Sequence, residues 1–123
     1  MNALILIGIG GACGSIARYA ISTWMNGSTG LFPAGTFIVN ALGCFILGFL
    51  FSFSEQKLSD TLYKGIGIGF CGGFTTFSAF SFESYSLWKN HHIVEAFLYT
   101  SSSFIVGLAA ITAGILLGGL LRK

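Results

Sequence analysis

Between Met1 and Ser54 a single side chain, Arg18, carries a charge. Ala3 to Trp24 is one apolar run, close to the about 20 residues that a helix needs to cross a bilayer. Three more such runs follow. Gly35 to Phe53 has no charge, Gly65 to Trp88 has one acid, Glu83, and Ala96 to Leu121 closes on Arg122 and Lys123. The segments between them are short and polar. Met25 to Ala34 holds Asn26, Gly27, Ser28 and the single proline, Pro33. Ser54 to Lys64 holds Glu55, Lys57, Asp60 and Lys64 and reads as a solvated loop, and Lys89 to Glu95 is a tight connection. Over the 123 residues only 8% are charged, against about 25% in a soluble domain. So little charge cannot keep a surface wetted, and lipid must cover much of this one. The expectation is an all-α membrane protein: one domain, residues 1–123, with spans at about 3–24, 35–53, 65–88 and 96–121.

Short loops make neighbouring helices antiparallel, and four spans put both termini on one side. That side carries Lys57, Lys64, Arg122 and Lys123, which favours termini inside. The eighteen glycines are high for a soluble chain and suit membrane helices, whose backbones approach closely over small residues. Gly10 with Gly14, Gly65 with Gly69 and Gly114 with Gly118 have the spacing of such contacts. Cys13, Cys44 and Cys71 lie far apart in apolar stretches and read as small hydrophobes, neither disulfides nor metal ligands. A secretory leader is not expected, because no basic segment precedes the first run and more spans follow. Gly67 to Gly72 matches G-x-G-x-x-G, but it lies inside a span rather than between a strand and a helix, so it is no nucleotide fingerprint. The net charge of +2 is small and scattered, which does not suit nucleic acid.

Polar groups in hydrocarbon are costly, and each is a functional candidate. Four clusters stand out. Arg18 ends the first span: it either snorkels to the interface or draws anions to a vestibule. Thr36, Asn40 and Gly43 share one helix face. There Asn40 either pins helix packing or offers amide hydrogens to an anion. In Gly69 to Glu83, the pair Gly72-Gly73 followed by Thr75-Thr76 is a poor continuous helix and predicts a break near the bilayer midplane. Irregular backbone at that depth needs burial in protein or a cavity to line, and free carbonyls at half-helix ends can coordinate a sodium ion. Phe77 and Phe80 share a face beyond the break, as do Ser78 and Ser81. On the last span Tyr99, Ser103 and Gly107 recur every four residues around Thr100, Ser101 and Ser102. Such a hydroxyl track either replaces water around an ion or binds helices together. Glu83 is a proton or cation site or an interface residue, and His91 and His92 read as solvated.

Three stretches, GSIARY (14–19), GTFIVNALGCFILG (35–48) and GFCGGFTTFSAFSFE (69–83), resemble the signatures of the CrcB/Fluc fluoride channels, in order and spacing over nearly the whole chain. The resemblance implies a fluoride-specific channel that lets fluoride leave the cell passively, in the bacterial inner membrane. It implies an antiparallel, dual-topology homodimer with two pores. It also implies a structural sodium ion at the two-fold axis, on backbone oxygens of Gly72 and Thr75. The pore residues would be Phe77, Phe80, Asn40, Ser78, Ser81, Tyr99 and Ser103, with Arg18 and Glu83 in the vestibule. Three features depart from the family pattern. Ala79 stands where threonine is usual, Gly107 stands where some relatives place serine, and lysines favour one side more than dual topology predicts. The competing reading is a small cation-coupled multidrug exporter, also four-span and dimeric. Such exporters use a glutamate in the first span, where this chain has only Arg18. A structural subunit without transport is a third reading, against which the aligned polar clusters argue. Catalysis is not expected, since no nucleophile–base pair, metal-ligand spacing or phosphate loop is present.

Overall fold

A computed structural model describes residues 2–26, 30–54 and 58–122. Glu55, Lys57, Lys123, Gly27 and Ser28, which figure in the expected loops and termini, lie outside the described residues. Every regular element of the described residues is a helix, with no strand among them. The elements are α1 (Ala3–Asn26), α2 (Ala34–Ser54), α3 (Asp60–Lys64), a π-helical segment (Gly65–Cys71), α4 (Gly72–Phe74), α5 (Phe77–Lys89) and α6 (Ile93–Arg122). Four stretches are long and apolar enough to cross a membrane: Ala3–Met25, Ala34–Ser54, Asp60–Lys89 and Ile93–Arg122. The third is composite, made of α3, the π-helical segment, α4 and α5.

The start of this third span lies within the expected loop. Ser59 caps α3, its hydroxyl accepting from the Leu62 N–H at 3.3 Å, and Lys64 pairs with Asp60 across one turn at 2.6 Å. These charges dress the first turn of a helix rather than a loop. The span is long because it is interrupted. Thr75 (φ −85°, ψ 159°) and Thr76 (φ −150°, ψ 120°) are extended, and α5 restarts with Thr76 as its N-cap. The glycines just upstream stay helical: Gly72 has φ −64° and ψ −38°. So the threonines make the break. Gly73 serves packing instead, because a Cβ there would collide with the Gly11 carbonyl of α1.

Packing falls into two pairs. α1 lies chiefly against the π-helical segment and α4, and α2 chiefly against α6. Both contacts are glycine-lined. Gly10 and Gly14 receive the backbone of Gly65 and Phe70, and Gly114 receives that of Phe45 and Phe49. In lipid, where apolar surface gains little from leaving the solvent, backbone-close contact of this kind supplies the dispersion that holds helices together. The π-helical segment carries buried glycines at 65, 67 and 69, and its widened turns occur in runs this long only where packing compensates.

Candidate functional site

The break changes the hydrogen-bond ledger of the third span. In a continuous helix the Thr76 N–H would bond the Gly72 carbonyl and the Ala79 N–H the Thr75 carbonyl. Both donors are diverted to side chains. Thr76 N–H donates to Asn40 Oδ1 at 2.7 Å, and Ala79 N–H donates to the Thr76 hydroxyl at 3.2 Å. The carbonyls of Gly72 and Thr75 thereby lose their helical donors. Gly73 would receive from Phe77. Instead its carbonyl accepts Arg18 Nε at 3.0 Å and, at the limit of reach, the Ser15 hydroxyl at 3.5 Å. The Cys71 carbonyl is closed by Thr75, through both its N–H (3.0 Å) and its hydroxyl (2.8 Å).

Asn40 grips the extended segment at both faces of one residue. Its Oδ1 accepts from Thr76 N–H, and its Nδ2 donates to the Thr76 carbonyl at 3.1 Å. The side-chain amide thus takes the place of a neighbouring strand. α2 can offer it because Gly43, one turn on, has no Cβ to meet the Thr75 methyl.

A groove of about 550 Å³ opens beside the break. Asn40, Gly72, Thr75, Phe77, Phe80 and Ser103 all line it. The Phe77 and Phe80 rings lie 5.8 Å apart. Phe80 is buried, whereas Phe77 is 74% exposed. Phe104 of α6 meets Phe80 edge to face, with ring centroids 6.0 Å apart at 88°. Ser103 Oγ is buried and has no hydrogen-bond partner among the described residues. Its neighbours are satisfied: Thr100 donates to Ser84 at 3.4 Å and Ser102 to the Tyr99 carbonyl at 3.3 Å.

The remaining site candidates lie elsewhere. Glu83 is clasped between two helices: Thr36 donates to its Oε1 and Tyr99 to its Oε2, each at 2.7 Å. Thr36 is 3% exposed and Tyr99 fully buried, so Tyr99 forms the floor under Phe80 (ring centroids 5.4 Å apart) and does not line the groove. Ser78 and Ser81 are exposed, with Ser78 3.2 Å from the Thr76 hydroxyl. Arg18 binds the break from the α1 side. Sequence reasoning named Thr36 and Thr76 without their partners and missed Phe104. Thr36 was visible one turn before Asn40, but its carboxylate partner is 47 residues away. Thr76 was visible only as a poor helix former. Phe104 carries no polar signal at all, and its role follows from facing Phe80.

Comparison with known proteins adds three findings. A family model described as CrcB-like protein, Camphor Resistance (CrcB), matches residues 5–115. The fluoride-specific ion channel FluC 2 of Listeria innocua is 43% identical over 112 residues, 89% of this chain and 85% of that protein. The fluoride-specific ion channels FluC of Thermus thermophilus and Oceanobacillus iheyensis are 40% and 38% identical; the alignments cover 95% and 100% of this chain, and 94% and 96% of theirs.

Proposed function

The chain belongs to the CrcB-like family, and from that membership we propose that it is a fluoride-specific ion channel, passing fluoride down its gradient and lowering the cytoplasmic concentration. The observation that carries the reading is the buried, unpartnered Ser103 hydroxyl on the groove wall, alongside Asn40 and the Phe77–Phe80 pair. A buried polar group without a partner costs about 1–3 kcal/mol, and a donor waiting for an anion gives that cost a purpose.

A bare anion enters an apolar wall only where donors replace its water. Ser103 would donate one hydrogen bond, and Asn40 Nδ2 the hydrogen not used by Thr76. Phe77 and Phe80 would turn their ring edges, the positive rim of the aromatic quadrupole, toward the ion. Phe104 orients Phe80 for that role. Ser78, Ser81, Tyr99, Arg18 and Glu83 act around this path: the two serines at the exposed mouth, Tyr99 with Glu83 as its rigid base, and Arg18 as the positive group at the break.

The same reading includes a structural sodium ion. The residues present fit one: hard cations take oxygen ligands, and the Gly72 and Thr75 carbonyls have lost their helical donors beside open space at Gly72. Two carbonyls are too few for a cation's shell, and a second copy of the chain across a two-fold axis would double them. When bound, the ion supplies fixed positive charge near the anion path. A homodimer of opposed copies in the bacterial inner membrane completes the proposal, and the 74% exposure of Phe77 supports a partner that covers that ring.

The test is efflux from liposomes holding the purified protein. Fluoride leaves and chloride is retained. Phe80→Ile cuts fluoride efflux nearly to background while the protein stays folded. Ser103→Ala lowers efflux yet leaves stability unchanged or raised by about 1 kcal/mol, because the unpartnered hydroxyl is gone. Equal chloride and fluoride efflux, or full flux in Phe80→Ile, overturns the reading.

A further inference from the structure

The three cysteines, alike as small hydrophobes in the sequence, have different surroundings in the fold. Cys13 is exposed on α1, whereas Cys44 of α2 and Cys71 of the third span line the same groove. The register between these two elements brings the thiols level. Asn40 bonds Thr76, Gly43 lies against Phe74 and Thr75, and Leu47 and Leu50 lie against Gly67. Cys44, between Gly43 and Leu47, therefore comes level with Cys71 along the groove wall. On its other side Cys44 faces Gly107 of α6, whose missing side chain leaves the sulfur room: even a Cβ there would stand 3.7 Å from Sγ.

We propose that Cys44 and Cys71 form a two-thiol site for a soft cation of linear coordination, of the Cu(I), Ag(I) and Hg(II) class, and that an ion bound there closes the groove. The chemistry selects that class. No group of three or more His, Cys, Asp or Glu gathers among the described residues, so the hard or tetrahedral ions that need more ligands are not served. Soft ions prefer thiolate sulfur, and two opposed sulfurs complete a linear shell. Binding forms two metal–sulfur bonds and breaks two S–H bonds. Both protons leave to solvent, and nothing is oxidised or reduced. The bound ion tethers α2 to the third span one turn before Thr75, where it fills space between Gly72 and Phe80. Closure of the groove rests on the channel reading, while the bridging itself does not.

The experiment uses the full-length protein with Cys13→Ser, which removes the exposed thiol, and mercuric nitrate in chloride-free buffer. After a wash with a competing monothiol, the parent retains one mercury per chain, with release of two protons per ion. Cys44→Ser and Cys71→Ser each lose it, because joining a second thiol raises retention by about a hundredfold or more. In liposomes the metal stops fluoride efflux of the parent and spares both single variants. Two mercury ions per chain, or equal retention in either single variant, overturns the site. Bridging with undiminished efflux overturns the closure. A parent silent before metal is added counts against the channel reading instead, and retention then decides the bridge alone.

Discussion

Glu83 lies inside the third span, and both of its oxygens are taken by hydroxyls from other helices, Thr36 of α2 and Tyr99 of α6. Hydrogen bonds to a charged group contribute about 1.5–3 kcal/mol each. Thr36→Val and Tyr99→Phe should therefore each lower stability by about that amount, read as thermal unfolding in detergent. The double variant should depart from the sum of the two, since both act on one carboxylate. Strict additivity would mean that the two bonds are independent of Glu83. Asn40 works differently. It holds the extended backbone of Thr76 by both ends of its amide, so an asparagine that reads in the sequence as either a packing or an anion-binding group is built into the break itself and still lines the groove.

At the scale of elements, glycine position decides what the bundle tolerates. Gly114→Ala places a Cβ onto the Phe45 carbonyl, 2.7 Å from the Phe49 nitrogen. Neither atom is a flexible side chain, so α2 and α6 must part, at about 1–3 kcal/mol. Gly8→Ala on the same scale meets nothing within 4 Å and should raise stability by about 0.5–1 kcal/mol through helix propensity alone. Thermal unfolding of the two variants side by side separates contact from composition. The end of α5 offers a second case. Asn90 caps the helix, and His91 follows with φ 63°. The N–H of His91 returns to Trp88 at 3.1 Å and that of His92 to Leu87 at 2.9 Å. This closing pattern ordinarily has glycine at the left-handed position. His91→Gly should stabilise the protein by about 1 kcal/mol, since a side-chain-bearing residue is strained there. A loss of stability would show that the exposed imidazole has a partner of its own.

For the whole molecule, one chain leaves much uncovered. Phe77 and Phe104 on the groove wall are 74% and 60% exposed, and Ile68 at its other end 58%. Lipid can cover apolar rings, but it cannot satisfy the carbonyls of Gly72 and Thr75 on the same groove wall. A second copy placed on this face can do both. Fluorescently labelled protein, diluted in liposomes until each vesicle holds at most one particle, should bleach in two steps. Single-step bleaching in vesicles that still conduct fluoride would show that one chain is enough. Arg18, bound to the Gly73 carbonyl from α1, bears on the same junction, so the two helix pairs of the fold meet where the partner would dock.

The sequence by itself determined the class of solvent, the number of spans and the existence of a break somewhere within Gly72 to Thr76. These rest on local quantities: charge spacing, run length, and the poor helix-forming of adjacent threonines. It also marked Phe77, Phe80 and Asn40 through their motifs. Tertiary structure alone decided the rest. The break falls on the threonines because Gly73 is needed against Gly11. The expected loop at Asp60 is helical because Ser59 caps it. Of the last span's hydroxyls, Ser103 is left without a partner and Tyr99 is spent on Glu83. Hydrogen-bond partners tens of residues apart, and ring faces set by neighbours on other helices, are properties of packing. No periodicity along one segment records which group on another helix will meet it.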